Sequence, residues 1–295
     1  RNELLQQFIW NNSLAQIAQA VKQENPMKKK FTSIILICAF LALPAFAHDL
    51  FLKPGSFFAK INQKISISVM NGTFQTSEGA ISFARLTDVS VVAPLGVRTN
   101  RKEADFTKNE TTAFMNLEPK EAGNYVVGIS TMWRENSLKA AEFNEYLPLE
   151  GIPDILENRK RDKELEIDGR YRYSKYVKTI LQVGGKQTDS YKTVLGYAVE
   201  MIPQTNPYKL KKGGSIEILC LKDGKPLVGQ TVLTGYESSG KLAAEKAIRS
   251  DAKGIIKIKL DAAGKWYAKF INMVKIDDPK LNYESKWATL TFEIK

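Results

Sequence analysis

Apolar and polar residues alternate along much of the chain from residue 48 onward. In the segments 64–69, 256–260 and 288–294, every second residue is apolar. A period of two predicts β-strands that bury one face and expose the other. Turn signals such as Asn71-Gly72 separate the alternating segments. The pattern therefore predicts a mainly β protein built from β-sandwiches.

One stretch lacks this alternation. From Ser137 to about Lys178, the residues have helical composition and spacing, and Pro153 suits the first turn of a helix. We therefore expect a small α-helical insertion at about 137–178. Strand character resumes at residue 179, so the insertion lies within a β domain.

A polar segment bracketed by prolines, 203–207, predicts a boundary between two domains. Residues 48–203 then form an N-terminal β-sandwich that contains the helical insertion. Residues 207–295 carry six or seven strand signals, which is the size and rhythm of an immunoglobulin-like or transthyretin-like sandwich.

The segment 27–47 has the three parts of a secretory signal peptide. Met27 is followed by three lysines, an apolar stretch at 31–43, and a small-x-small site, Ala45-Phe46-Ala47, before His48. We expect cleavage after Ala47 and a periplasmic location. The apolar stretch is shorter than the roughly 20 residues that are needed to cross a bilayer. Residues 48–295 contain no apolar run long enough to span a membrane. We therefore expect no membrane span in the mature protein.

Residues 1–26 precede this signal, although a secretory signal peptide normally stands at the N-terminus. We interpret them as a spurious upstream extension, with Met27 as the true initiator.

Composition narrows the classes of function. The chain of 295 residues has 43 Lys and Arg against 32 Asp and Glu, and 38 against 30 remain in residues 48–295. The basic residues are scattered and no nucleic-acid motif accompanies them, so we expect no nucleic-acid partner. One histidine and one mature cysteine, Cys220, exclude multi-histidine metal sites and an internal disulfide. No catalytic constellation is visible, and we expect a binding protein rather than an enzyme.

The single histidine, His48, falls at the predicted mature N-terminus. Cleavage after Ala47 would leave a free α-amino group beside the imidazole, and these two nitrogens can chelate one Ni(II) or Cu(II) ion. Asp49 would add an oxygen ligand. The alternative is that the terminal histidine is only an exposed lead-in to the first strand.

Aromatic and basic residues are interleaved in and beside the predicted insertion. The candidates for a partner-binding surface are Trp133, Arg170, Tyr171, Arg172, Tyr173 and Tyr176. Aromatic faces next to cations can form a groove for an envelope glycan or a protein partner. The alternative is that the tyrosines pack the helices onto the sandwich while the arginines stay solvated.

Several segments carry a family resemblance, among them 47–54 (AHDLFLKP), 123–128 (GNYVVG), 264–267 (GKWY) and 283–292 (YESKWATLTF). Together they resemble an exported bacterial family of unknown function that also bears the label nickel-uptake substrate-specific component. The resemblance implies two periplasmic β-sandwich domains and a role in handling a divalent metal or another nutrient.

These observations lead to two functional hypotheses. The first is a periplasmic, non-catalytic accessory in nickel or copper handling, with a metal-uptake membrane component as its partner. The second is a structural or adhesive envelope module that binds a glycan or a protein through the aromatic and basic residues.

Overall fold

Strands dominate residues 48–295, the part of the chain that the computed structural model describes. They are β1 (Asp49–Pro54), β2 (Phe58–Ala59), β3 (Ile65–Gly72), β4 (Leu86–Val92), β5 (Arg98–Asn100), β6 (Phe106–Lys108), β7 (Ala113–Leu117), β8 (Gly123–Thr131), β9 (Arg134–Leu138), β10 (Gly169–Val183), β11 (Val199–Pro203), β12 (Ser215–Lys222), β13 (Lys225–Pro226), β14 (Thr231–Ser238), β15 (Lys241–Leu242), β16 (Lys246–Arg249), β17 (Ile255–Lys259), β18 (Gly264–Lys275) and β19 (Tyr283–Ile294). The helices are α1 (Ala140–Leu149) and α2 (Pro153–Arg161). The prediction of a mainly β fold is confirmed, while the predicted signal peptide (27–47) and upstream extension (1–26) lie outside the described residues.

One sheet of eleven strands forms the centre of the structure. Its main path runs β15-β14-β18-β19-β10-β8-β4-β5, with β16 paired to β14 and both β2 and β9 paired to β10. The long strand β10 pairs in parallel with β19, from Tyr171 opposite Tyr283 to Thr179 opposite Thr291. The first and second halves of the chain therefore share a single sheet.

This shared sheet replaces the two separate sandwiches expected for residues 48–203 and 207–295. The stretch from Ala47 to Lys295 forms one compact unit. The expected linker at 203–207 is also tied to the rest of the protein, because Asn206 is buried and its side chain donates a hydrogen bond of 2.8 Å to Asn124 Oδ1. The sandwich architecture is present, but the count of two domains is not confirmed.

Two four-stranded sheets cover the opposite faces of the central sheet. Odd-numbered residues of β10, such as Val177 and Leu181, pack against the sheet β1-β3-β7-β6. Even-numbered residues, such as Ile180, pack against the sheet formed by β11, β12, β13 and β17. Because side chains alternate along a strand, one strand contributes to both cores.

The helical insertion is shorter than the sequence pattern indicates. In α1, Phe143, Tyr146 and Leu147 share one buried face at the i, i+3, i+4 spacing, and α2 begins at Pro153 as expected. Residues 169–178 belong to β10, so the helical prediction for them is wrong. Pairing with β9 and β19 determines their conformation, and this pairing is not visible in local composition.

A buried ion pair joins β10 of the central sheet to β11, in the sheet that covers the face of the even-numbered β10 residues. Lys178 Nζ lies 2.7 Å from Glu200 Oε2, and each side chain is 2% exposed. The Glu200 carboxylate also accepts hydrogen bonds from the backbone amides of Leu195 and Gly196, each at 3.0 Å. Burial lowers the pKa of Lys178, and Glu200 opposes this shift.

Within residues 48–295, no helix is both long enough and apolar enough to cross a membrane.

We predict that Lys178→Met lowers the free energy of unfolding by about 3–5 kcal/mol, because it leaves the Glu200 carboxylate buried without its cation. The double variant Lys178→Met/Glu200→Gln should recover a large part of this loss, because no buried charge remains. Urea unfolding monitored by tryptophan fluorescence measures both effects.

The matched control is Lys160→Met, which removes a lysine from the exposed pair with Glu157 on α2. It should change the free energy of unfolding by less than about 1 kcal/mol. Equal effects of the two single variants would contradict the importance assigned to the buried pair.

Candidate functional site

The candidate site lies where β1 begins, on the face of the central sheet that carries the odd-numbered residues of β10. This face is called the odd-numbered face below. Alternation along β10 places Tyr171, Tyr173 and Lys175 on this face. The parallel register sets Trp287 of β19 beside Lys175. Strand β1 and helix α1 cover the same face, so the region gathers residues from both ends of the described chain.

His48 is exposed at the edge of this region and faces Glu78. Its Nδ1 atom lies 3.1 Å from Glu78 Oε2, and the two side chains are 47% and 49% exposed. Glu78 follows β3, and its backbone N–H donates a hydrogen bond of 2.9 Å to the Asn71 carbonyl oxygen. Because β1 pairs with β3, the strand pairing brings histidine and glutamate together.

Asp49 does not point toward His48 as the predicted metal site requires. Its side chain is buried, and Oδ2 accepts a hydrogen bond of 2.7 Å from Lys269 Nζ on β18. Burial raises the pKa of Asp49, and the charge of Lys269 counteracts part of this shift. The structure therefore gives Asp49 an anchoring contact, while Glu78 takes the position beside the imidazole.

Lys269 lies between two carboxylates. Its Nζ atom is 3.2 Å from Glu245 Oε1, in addition to its contact with Asp49. Glu245 Oε1 also accepts a hydrogen bond of 2.8 Å from the Tyr267 hydroxyl. Burial disfavours the charged form of Lys269, but the surrounding carboxylates outweigh this effect and raise its pKa.

A third carboxylate, Glu150, completes the buried charged cluster at the C-terminal end of α1. Glu150 is buried. Burial, followed by the nearby Asp49 charge, raises the pKa of Glu150 to about 7. The adjacent Tyr146 hydroxyl is buried and has no hydrogen-bond partner in the same part of the chain.

Lys175 fixes the backbone at the start of β1, because its Nζ atom donates a hydrogen bond to the His48 carbonyl oxygen. The ammonium group lies 5.6 Å from the centre of the Tyr173 ring and 5.1 Å from that of Trp287. Burial lowers the pKa of Lys175 to about 8, although Asp49 favours the charged form. These contacts tie His48 to the central sheet.

The predicted partner-binding residues do not form one surface. Tyr171 is buried, and its ring lies 5.8 Å from that of Phe143 on α1. Tyr173 is half-buried on the same face. Arg170, Arg172 and Tyr176 occupy the alternate positions of β10 and therefore face the other side; among them Arg172 Nε donates a hydrogen bond of 2.6 Å to Glu284. Trp133 is 59% exposed beside β9. For Tyr171, the structure matches the alternative in which tyrosines pack the helices onto the sheet.

Sequence reasoning missed most of the residues around His48. Glu78, Glu150, Glu245 and Lys269 are distant in sequence, and no local motif connects them. A usable signal existed only for Lys175, because a strand reading of 169–175 places it on the same face as Tyr171 and Tyr173. Within residues 48–295, no group of three or more His, Cys, Asp or Glu side chains is arranged to hold a metal ion.

The raised pKa of Glu150 predicts a specific dependence of stability on pH. In the unfolded chain this carboxyl ionises near its ordinary pKa of 4.5, whereas in the folded protein it ionises at about 7. The folded state therefore holds the proton more tightly, and this contribution to stability is lost as the pH rises from about 5 through 7. Glu150→Gln should be more stable than the unchanged protein at pH 8 by about 2–3 kcal/mol, and less so at pH 5.

Urea unfolding at pH 5, 6, 7 and 8 measures this difference. Glu145→Gln, at an exposed position of the same helix, controls for the loss of one acidic side chain. A constant difference between Glu150→Gln and the unchanged protein over this range would contradict the prediction.

Several solved structures share a low level of similarity with this chain. The D0-D1 domain of intimin is 13% identical with a TM-score of 0.20, over 83% of this chain and 97% of that one. The Salmonella alpha-2-macroglobulin reacted with methylamine is 9% identical with a TM-score of 0.23, over 84% and 15% of the two chains. A tetra-tandem repeat from the extending region of a large adhesion protein is 9% identical with a TM-score of 0.22, over 84% and 50%. Scores this low carry no argument about fold or function.

Among the curated proteins, none matches this sequence. The family model described as Domain of unknown function (DUF4198) matches residues 45–273, which is most of the chain and includes His48, Glu78 and Lys269. The chain therefore belongs to the DUF4198 family.

Proposed function

We propose that this chain is an exported metal-binding protein that acts as an accessory in nickel or copper handling. In this proposal, residues 27–47 are a signal peptide, cleavage after Ala47 makes His48 the first residue in the periplasm, and a membrane component for metal uptake is the partner. The observation that carries the proposal is the contact between His48 Nδ1 and Glu78 Oε2.

The distance in this contact suits two ligands of one metal ion. Donor atoms at about 2.0–2.2 Å from a metal, in neighbouring positions at a right angle, lie about 3 Å apart. The observed separation is 3.1 Å. Both side chains are about half exposed, so an ion can approach them from solvent.

Cleavage after Ala47 would supply a third ligand. The α-amino nitrogen and Nδ1 of His48 can close a six-membered chelate ring on one ion, with the Glu78 carboxylate in a neighbouring position. A set of two nitrogens and one oxygen suits Cu(II) and Ni(II), which favour nitrogen-rich, tetragonal sites. A bound ion would supply a cationic centre with positions open to a further ligand.

The residues beneath His48 would hold this site in place. Lys175 holds the His48 carbonyl oxygen, and Lys269 holds the Asp49 carboxylate from the other side of the strand. A terminal residue fixed at its backbone loses less conformational entropy on binding an ion than a free tail does. Asp49 thus supports the proposed site as an anchor.

The proposal predicts that metal affinity depends on the free α-amine of His48. Protein that begins at His48 should bind Cu(II) and Ni(II) at one to one, and the same protein with its α-amine acetylated should bind at least about tenfold more weakly, because acetylation turns the amine into an amide. Glu78→Gln should also weaken binding, because it removes the oxygen ligand. Isothermal titration in a weakly coordinating buffer measures all three affinities.

Glu217→Gln, at an exposed position of β12 in the sheet that covers the opposite face of the central sheet, serves as the control and should leave both affinities unchanged. Sequencing the N-terminus of exported protein first establishes whether His48 is the first residue. Equal metal affinity with a free and with an acetylated α-amine, or a different first residue in the exported protein, would overturn the proposal.

A further inference from the structure

Three basic side chains gather beside the candidate site on the odd-numbered face. Lys175 lies on β10, and Arg134 begins β9 directly opposite Tyr173. Arg85 ends the short 3-10 turn that precedes β4. They come from three separate segments, so the fold rather than the local sequence brings them together.

The turn between β8 and β9 links these segments. The backbone N–H of Met132 donates a hydrogen bond of 2.9 Å to the Arg85 carbonyl oxygen. The preceding residue, Thr131, accepts a hydrogen bond of 3.0 Å from the backbone N–H of Lys175 through its side-chain oxygen. Arg134 follows two residues after Met132. The positions of all three cations are therefore set by backbone contacts.

The cations are close enough to repel one another. Burial lowers the pKa of Arg85, and the charge of Arg134 lowers it further. Burial also lowers the pKa of Lys175; Asp49 opposes this effect, and Arg85 adds to it. Like charges held together cost free energy unless an opposite charge lies among them.

No acidic side chain forms a salt bridge with this group within residues 48–295. None of the salt bridges in this part of the chain includes Arg85, Arg134 or Lys175. The buried Nε atom of Arg85 has no hydrogen-bond partner among the same residues. The carboxylates whose charges act on Lys175 are Asp49 and Glu150, and both also act on Lys269.

The aromatic residues give this group one apolar side. The rings of Tyr173 and Trp287 are 6.3 Å apart and lie beside the Lys175 ammonium group. Such a wall excludes water from part of the surface and strengthens the attraction between the cations and an anion. The two guanidinium groups supply planar donors that match carboxylate and phosphate oxygens.

We infer that Arg85, Arg134 and Lys175 form a binding site for the carboxylate or phosphate group of a small anionic ligand. A bound anion would offset the repulsion among the three cations and accept a hydrogen bond from the buried Nε atom of Arg85. The Tyr173 and Trp287 rings would shield the anion from water on one side. This inference rests on the three cations and not on metal binding at His48.

The test uses metal-free protein and two probe anions, inorganic phosphate and citrate, at constant ionic strength set with sodium chloride. Isothermal titration should show saturable one-to-one binding of at least one probe. Arg85→Gln and Arg134→Gln should each weaken it tenfold or more, and Arg161→Gln, an exposed arginine of α2, should leave it unchanged. A preference for phosphate would identify a phosphate group as the ligand chemistry, and a preference for citrate would identify a carboxylate.

Thermal unfolding in chloride buffer separates a binding role from a structural one. Without a multivalent anion, Arg134→Gln should unfold at the same temperature as the unchanged protein or higher, because it relieves repulsion with Arg85. The probe anion should raise the unfolding temperature of the unchanged protein more than that of Arg134→Gln. Failure of both probes to bind, or full binding by Arg85→Gln and Arg134→Gln, would overturn the inference.

Discussion

The parallel pairing of β10 with β19 is the constraint on which the rest of the structure depends. It joins a strand from the middle of the chain to the last strand and makes one sheet out of both halves. Because the pairing is parallel and in register, Tyr171, Tyr173 and Lys175 lie beside the aromatic residues of β19 on one face. Strand β1 packs against this face, and the packing determines where His48 and Asp49 lie.

Negative and positive side chains are separated on this face of the sheet. Three carboxylates act on Lys269, of which Asp49 and Glu150 are buried and Glu245 is exposed. Lys175 separates them from Arg85 and Arg134 at the edge. Such an arrangement is electrostatically unfavourable on both sides of Lys175, since burial and the Asp49 charge raise the pKa of Glu150 and the arginines form no salt bridge within residues 48–295. Perturbed groups of this kind concentrate at binding sites more often than at purely structural positions.

The sequence pattern predicted the parts of the fold that depend on local periodicity. The alternating segments 64–69, 256–260 and 288–294 correspond to β3, β17 and β19, and the apolar spacing around Phe143 corresponds to α1. The prediction failed at 169–178, where aromatic and charged residues fit a helix as well as a strand and distant pairing decides between them. The domain boundary expected at 203–207 is not confirmed, and the polar side chain of Asn206 within it is buried and hydrogen-bonded to Asn124.

The candidate site was predictable only in its first residue. His48 stood out because it is the single histidine and precedes a strand, whereas Glu78, Glu150 and Lys269 reach it through sheet pairing and helix packing. The residues between 169 and 176 stood out for their composition, but their alternation divides them between two faces.

Electron paramagnetic resonance of Cu(II) added below one equivalent to protein that begins at His48 tests the central claim most directly. The account predicts a single tetragonal copper species whose hyperfine pattern shows two nitrogen donors, reduced to one when the α-amine of His48 is acetylated. A spectrum of loosely bound copper, or one that is the same with a free and with an acetylated α-amine, would contradict it.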